Sequence, residues 1–161
     1  MKKFKNVLII VFLLTTFINC KKEDDNMLVG FNINMDFEIS VRDSSGEDLL
    51  DPNNPNAYNE NEIKIFYLID GEMVEVYDAL MDSPRNFMIY KSESEYRLRV
   101  FLDSSTDKTT TYIKWNDSEM DEIKVDVIRL NTYIGYENSQ FNGQYVCEGQ
   151  GGGCFYEYVK N

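Results

Sequence analysis

The chain has 161 residues, 14% of them aromatic, no histidine, and a formal charge of −12 from 16 basic and 28 acidic side chains. Without an imidazole there is no Ser-His or Cys-His nucleophile pair, no His general base and no His-containing zinc or haem site. The acid excess repels nucleic-acid phosphates and anionic headgroups, so the expected partner is neutral, basic or a divalent cation, and not a nucleic acid.

The first element is a targeting segment. Lys2, Lys3 and Lys5 precede an apolar run from Val7 to Ile18, the n-region and h-region of a secretory signal. This 12-residue run is too short to span a bilayer, which takes roughly 17–25 residues. Residues 1–19 therefore read as a signal peptide. Removing them takes three lysines and no acid, leaving an acid excess of 15.

Phe17-Ile18-Asn19-Cys20 resembles a degenerate bacterial lipobox, and Lys21-Lys22-Glu23-Asp24-Asp25 resembles the Lys-then-acid export signature of Bacteroidota surface lipoproteins. The resemblance implies that Cys20 is lipidated, that residues 20–27 are an acidic tether whose Lys21, Lys22, Glu23, Asp24 and Asp25 direct export, and that the protein sits at the outer membrane facing outward. Two or more acyl chains hold a protein stably at a membrane. Three cysteines are an odd count for an oxidising compartment, and lipidation of Cys20 leaves the pair Cys147 and Cys154. A disulfide across the intervening glycine-rich loop is the expectation, with two free thiols or an intermolecular link as alternatives.

Residues 28–161, about 140 with the tether, are expected to form one domain. From Phe31 to Val41, six apolar residues alternate with polar ones, which predicts one long strand over 28–41 with a buried side. Asp43-Ser44-Ser45-Gly46 ends it, and the Pro- and Asn-rich stretch from Asp51 to Glu62 reads as loop. Ile63–Ile69, Asp70-Gly71 and Glu72–Tyr77 predict a type I′ hairpin with Tyr67 opposite Val74, Ile65 opposite Val76 and Leu68 opposite Met73. Met73, Val76, Tyr77 and Leu80 also fit helical spacing, so a short helix over 74–81 competes.

Further strands are expected at Phe87–Lys91, Tyr96–Leu102, Thr109–Trp115, Ile123–Ile128, around Tyr133–Tyr136 and at Phe155–Lys160. A turn at 116–119 and an Asn142-Gly143 hairpin separate some of them. Eight or nine strands without a long helical pattern predict an all-β, antiparallel two-sheet sandwich of immunoglobulin- or transthyretin-like kind. Gly46-Glu47-Asp48-Leu49-Leu50-Asp51-Pro52, the aromatic hairpin, the Trp115 strand and the Asn142-Gly143 hairpin resemble a group of uncharacterised Bacteroidota outer-membrane or surface lipoproteins with a β-sandwich domain. That resemblance supplies no activity.

Asp43, Glu47, Asp48 and Asp51, and again Asp117, Glu119 and Asp121, cluster in turns. They read as solvated turn carboxylates ahead of a Ca²⁺ site, since neither run has EF-hand spacing. Tyr133, Tyr136, Tyr145, Tyr156 and Tyr158 are a candidate aromatic binding surface, against the alternative that they fill the core. The expectation is a non-enzymatic binding module without cofactor, held to a membrane by its lipid and contacting an unidentified protein or glycan. An accessory subunit of an envelope complex, and a Ca²⁺-dependent glycan binder or carboxylate hydrolase, are the alternatives.

Overall fold

The computed structural model describes residues 30–148 and 153–160. The expected signal peptide, Cys20, Lys21 to Asp25 and the centre of the loop between the last two cysteines lie outside them. Among the described residues eleven strands form two sheets and there is no helix. The strands are β1 (Asn32–Ile33), β2 (Asp36–Arg42), β3 (Lys64–Ile69), β4 (Glu72–Glu75), β5 (Phe87–Ser92) and β6 (Glu95–Phe101). They continue as β7 (Lys108–Lys114), β8 (Met120–Leu130), β9 (Tyr133–Phe141), β10 (Gln144–Cys147) and β11 (Cys154–Val159).

The larger, seven-stranded sheet runs β1-β9-β8-β7-β3-β4, with β10 also paired to β9; the smaller, four-stranded sheet runs β11-β2-β6-β5. The all-β, two-sheet sandwich expected from the alternation is the fold. The strand count is higher, and the pairing is mixed: β1 runs parallel to β9 and β11 parallel to β2. Turn signals reveal antiparallel hairpins because those are local. A parallel pair joins segments far apart in sequence and leaves no local mark.

The long strand expected over 28–41 is divided. Asn34 N–H bonds to Ile134 O in the larger sheet at 2.8 Å, whereas Met35 O accepts from Leu102 N at 2.7 Å beside the smaller one. The chain thus crosses between sheets at Asn34-Met35 without losing its alternation. Phe37, Ile39 and Val41 are fully buried, but Phe31 and Ile33, expected on the same buried side, are exposed. Period two tells which residues share a face; it does not tell where the opposite sheet ends.

Between the sheets, β2 and β6 contribute Phe37, Ile39, Leu98 and Val100, which meet Ile65, Ile113, Ile123 and Phe141 from the larger sheet. Burying one such side chain stabilises by roughly 1.5–3 kcal/mol. Tyr136 reaches across this core: its hydroxyl donates to Asp36 O at 2.6 Å and accepts Cys154 N–H at 2.8 Å, tying the parallel β2–β11 pair to the larger sheet. Cys147 and Cys154 are disulfide-bonded with Cα atoms 6.2 Å apart, so the bond staples β10 of one sheet to β11 of the other.

Candidate functional site

The β3–β4 hairpin forms as its sequence predicts. Asp70 and Gly71 have φ of 52° and 85°, both positive as a type I′ turn requires. Tyr67 stands opposite Val74 and Leu68 opposite Met73. No helix forms over 74–81; instead Val76 N–H bonds to Ile65 O at 2.9 Å, and Asp78 N–H to Pro84 O at 2.8 Å closes the following loop. Sheet pairing satisfies the backbone there, which removes the reason to coil.

What the register places in water is unexpected. Tyr67 reaches back, its hydroxyl donating to Phe101 O at 2.9 Å, and burial pushes it up to about 12. Beyond it the hairpin projects past the core. Leu68 and Met73 lie exposed on one face, and Ile69 and Val74 on the other. Tyr77 and Leu80 of the loop are 65% and 94% exposed, and Met81 is exposed with them. Phe66, Met73 and Met120 line a depression of about 390 Å³ that extends this apolar surface toward β8. The 70–82 segment also carries Asp70, Glu72, Glu75, Asp78 and Asp82 and no basic residue. Among the described residues, only Glu75 of these is ion-paired, to Lys64 at 3.0 Å.

A second recess, about 590 Å³, lies where the 43–62 loops meet the ends of β7 and β11. Trp115, fully buried, stacks on Tyr58 with ring centroids 4.8 Å apart and donates Nε1–H to Asp121 at 2.6 Å. Tyr58 donates to Glu119 Oε2 at 2.7 Å, and Lys160 Nζ bonds to the same carboxylate oxygen at 2.5 Å and to the Tyr58 hydroxyl. The Lys160 and Tyr58 hydrogen bonds hold the Glu119 carboxyl below its usual range, and burial with the Glu119 contact raises the Tyr58 phenol. Other acids here are also engaged: Asp43 Oδ1 accepts from Ser45 N, Ser45 Oγ and Glu47 N, and Glu62 Oε1 from Asn59 Nδ2. These polar groups serve one another. Its raised phenol keeps Tyr58 protonated at neutral pH.

The turn acids likewise tie down backbone. Asp48 accepts Leu50 N–H and Tyr96 N–H at 2.9 and 2.8 Å, fastening the Asp-Leu-Leu-Asp-Pro loop to β6, and Asp51 Oδ1 accepts Asn53 N–H. Among the described residues no three acidic or cysteine side chains converge as a metal site.

The five tyrosines of the candidate aromatic surface do not share one exposed face. Tyr136 is buried, Tyr156 and Tyr158 pack inward against Phe141, Tyr133 is half-buried, and Tyr145 is exposed on β10. The parallel pairing of β11 turns Tyr156 and Tyr158 to the core and Phe155 outward. Sequence reasoning paired the hairpin residues but missed their exposure; the signal for it was the absence of basic residues across 70–82 beside continued apolar ones. The Tyr58, Glu119 and Lys160 cluster joins segments remote in sequence and carried no local signal. Comparison with family models, curated proteins and solved structures found no match to this chain.

Proposed function

We propose that this protein is a lipid-anchored, surface-displayed, non-enzymatic interaction module whose contact face is the β3–β4 hairpin with its 77–81 loop. The observation that carries the reading is the exposed apolar character of that end of the larger sheet, with Leu68 and Met73 on one face of the hairpin, Ile69 and Val74 on the other, and Tyr77, Leu80 and Met81 in the loop that follows. Several large apolar side chains exposed within one short segment are a common mark of a protein contact. The lipidation of Cys20 and outward orientation rest on the resemblance of residues 17–25 to lipoprotein signals.

Two measurements test this. Protease shaving of intact cells should cleave wild type but not a periplasmic marker, and Cys20→Ala should abolish cell-associated cleavage. A photocrosslinking residue placed in living cells at Leu80 or Met73 should give a discrete adduct, whereas the same residue at Ser92 on the smaller sheet should not. Equal labelling from both places would remove the hairpin as the contact face.

A further inference from the structure

The β4 strand is more than an apolar patch, because its backbone is also open. In this antiparallel hairpin Glu72 and Val74 belong to the pairs that bond to β3, a pattern continued by Val76 N–H to Ile65 O at 2.9 Å. By the alternation of antiparallel ladders, Met73 and Glu75 then point their N–H and C=O groups away from β3. β4 ends its sheet, so among the described residues no strand meets these groups.

Protein edges are normally blunted by lysine, proline or a covering loop. In the other sheet the edge strand β5 carries Lys91, and β11 at the opposite edge is held to β10 by the Cys147–Cys154 disulfide. β4 has the sequence Glu-Met-Val-Glu, with no lysine or proline. On either side of its plane lie Leu68 and Met73, or Ile69 and Val74, ready to pack the alternate side chains of an added strand.

Resting on the contact face proposed above, we infer that β4 is a strand-addition site for an extended segment of a partner protein, apolar at alternate positions and flanked by lysine or arginine. Charge selects this occupant. Residues 70–82 carry no basic side chain, and of their acids Glu75 pairs with Lys64 of β3 while Asp70, Glu72, Asp78 and Asp82 have no ion-pair partner among the described residues. A second copy of this chain would bring two such segments together and add the repulsion of two chains each at −12.

The test uses the full chain carrying Cys20→Ala and, as probe, a fluorescent synthetic peptide of alternating Val and Thr with Lys-Lys at both ends, read by anisotropy. Wild type should bind it saturably, and a Glu-Glu-flanked version about tenfold or more weakly. Glu75→Pro removes an N–H that points away from β3 and should weaken binding about tenfold, while Glu75→Gln stays within about threefold. A probe N-methylated at its central residues lacks ladder donors and should fail even if Glu75→Pro does not fold.

No saturable binding by wild type, full affinity for the N-methylated or Glu-flanked probe, or unchanged binding by folded Glu75→Pro would overturn strand addition. So would a wild-type dimer in sedimentation that Glu75→Pro dissolves, which would make the occupant a second copy. If strand addition fails while Leu80 still crosslinks in cells, the contact face stands without it. Loss of the hairpin crosslink from wild type defeats the broader reading.

Discussion

Two stretches of β surface face water in this protein and resolve the exposure differently. On the outer face of the smaller sheet, Glu38 lies between Arg99 at 2.5 Å and Arg97 at 3.4 Å, Arg97 also meets Glu95 at 2.7 Å, and Arg42 meets Glu95 at 3.2 Å. Arg97 covers Phe155 with its guanidinium carbon 3.7 Å from the ring centre, and Arg99 lies 5.1 Å from that of Tyr90. Cations thus pair with acids and shield aromatics at once. The β3–β4 hairpin shows the reverse: apolar groups without cover, acids of which only Glu75 has an ion-pair partner among the described residues, Lys64, and ladder groups without a strand. A surface whose groups satisfy one another needs no outside partner; one that leaves all three kinds unsatisfied is where a partner has something to gain.

That contrast can be broken by asking where stability resides. The largest effect should come from neither surface but from the core between them. Trp115→Ala removes a fully buried ring, its stack on Tyr58 and its bond to Asp121, and should cost about 3–5 kcal/mol in chemical denaturation. A smaller loss would mean that the Tyr58 loop collapses into the space. Next is the staple: Cys147→Ser, or reduction, should cost roughly 2–3 kcal/mol, the closure entropy of a short loop, and lower the melting temperature only under conditions where wild type is oxidised.

On the ion-paired face, Glu38→Ala strands Arg97 and Arg99 and should cost about 1–2 kcal/mol at neutral pH. Its pH dependence sharpens the point. Burial raises the Glu38 carboxyl, but hydrogen bonds from Tyr90, Arg99 and Arg97 outweigh it and hold the group below its ordinary 4.5. Its stabilisation is therefore full above that value and lost as pH falls through the lower folded one. Urea melts across this acid range should show a limb in wild type that is flatter in Glu38→Gln; identical limbs would remove Glu38 from the account.

The smallest effect belongs to the hairpin. Leu80→Ser with Met81→Ser should change stability by less than about 0.5 kcal/mol, because both side chains already face water. The same pair should reduce retention on a hydrophobic column and weaken the crosslink from Met73. A large loss of stability would mean these residues pack within the fold.

Much of the architecture was legible in the sequence because its signals are local. Asp70-Gly71 and Asn142-Gly143 both supply the positive φ angles their turns need, so both hairpins could be placed in advance. The Cys147–Cys154 bond followed from an even remainder and a glycine-rich loop. The β9 strand shows the limit: Asn138 takes a φ of 54° where the β8–β9 register shifts, so Tyr136 and Ser139 both point inward despite their odd spacing. A bulge resets the alternation, and nothing in the neighbouring residues announced it. The candidate sites were less legible still, since Tyr58, Glu119 and Lys160 meet only after three loops are folded together.

The sequence by itself determined the strand periodicity, the tight turns and the acidic character, because each depends on residues close in the chain or on simple totals. Only the tertiary structure decided which alternating face met another sheet. It set Tyr156 and Tyr158 inward through a parallel pairing and left Leu68, Ile69, Met73 and Val74 in water. Burial is a relation between distant segments, and the same apolar residue is core or contact surface according to whether a second layer reaches over it.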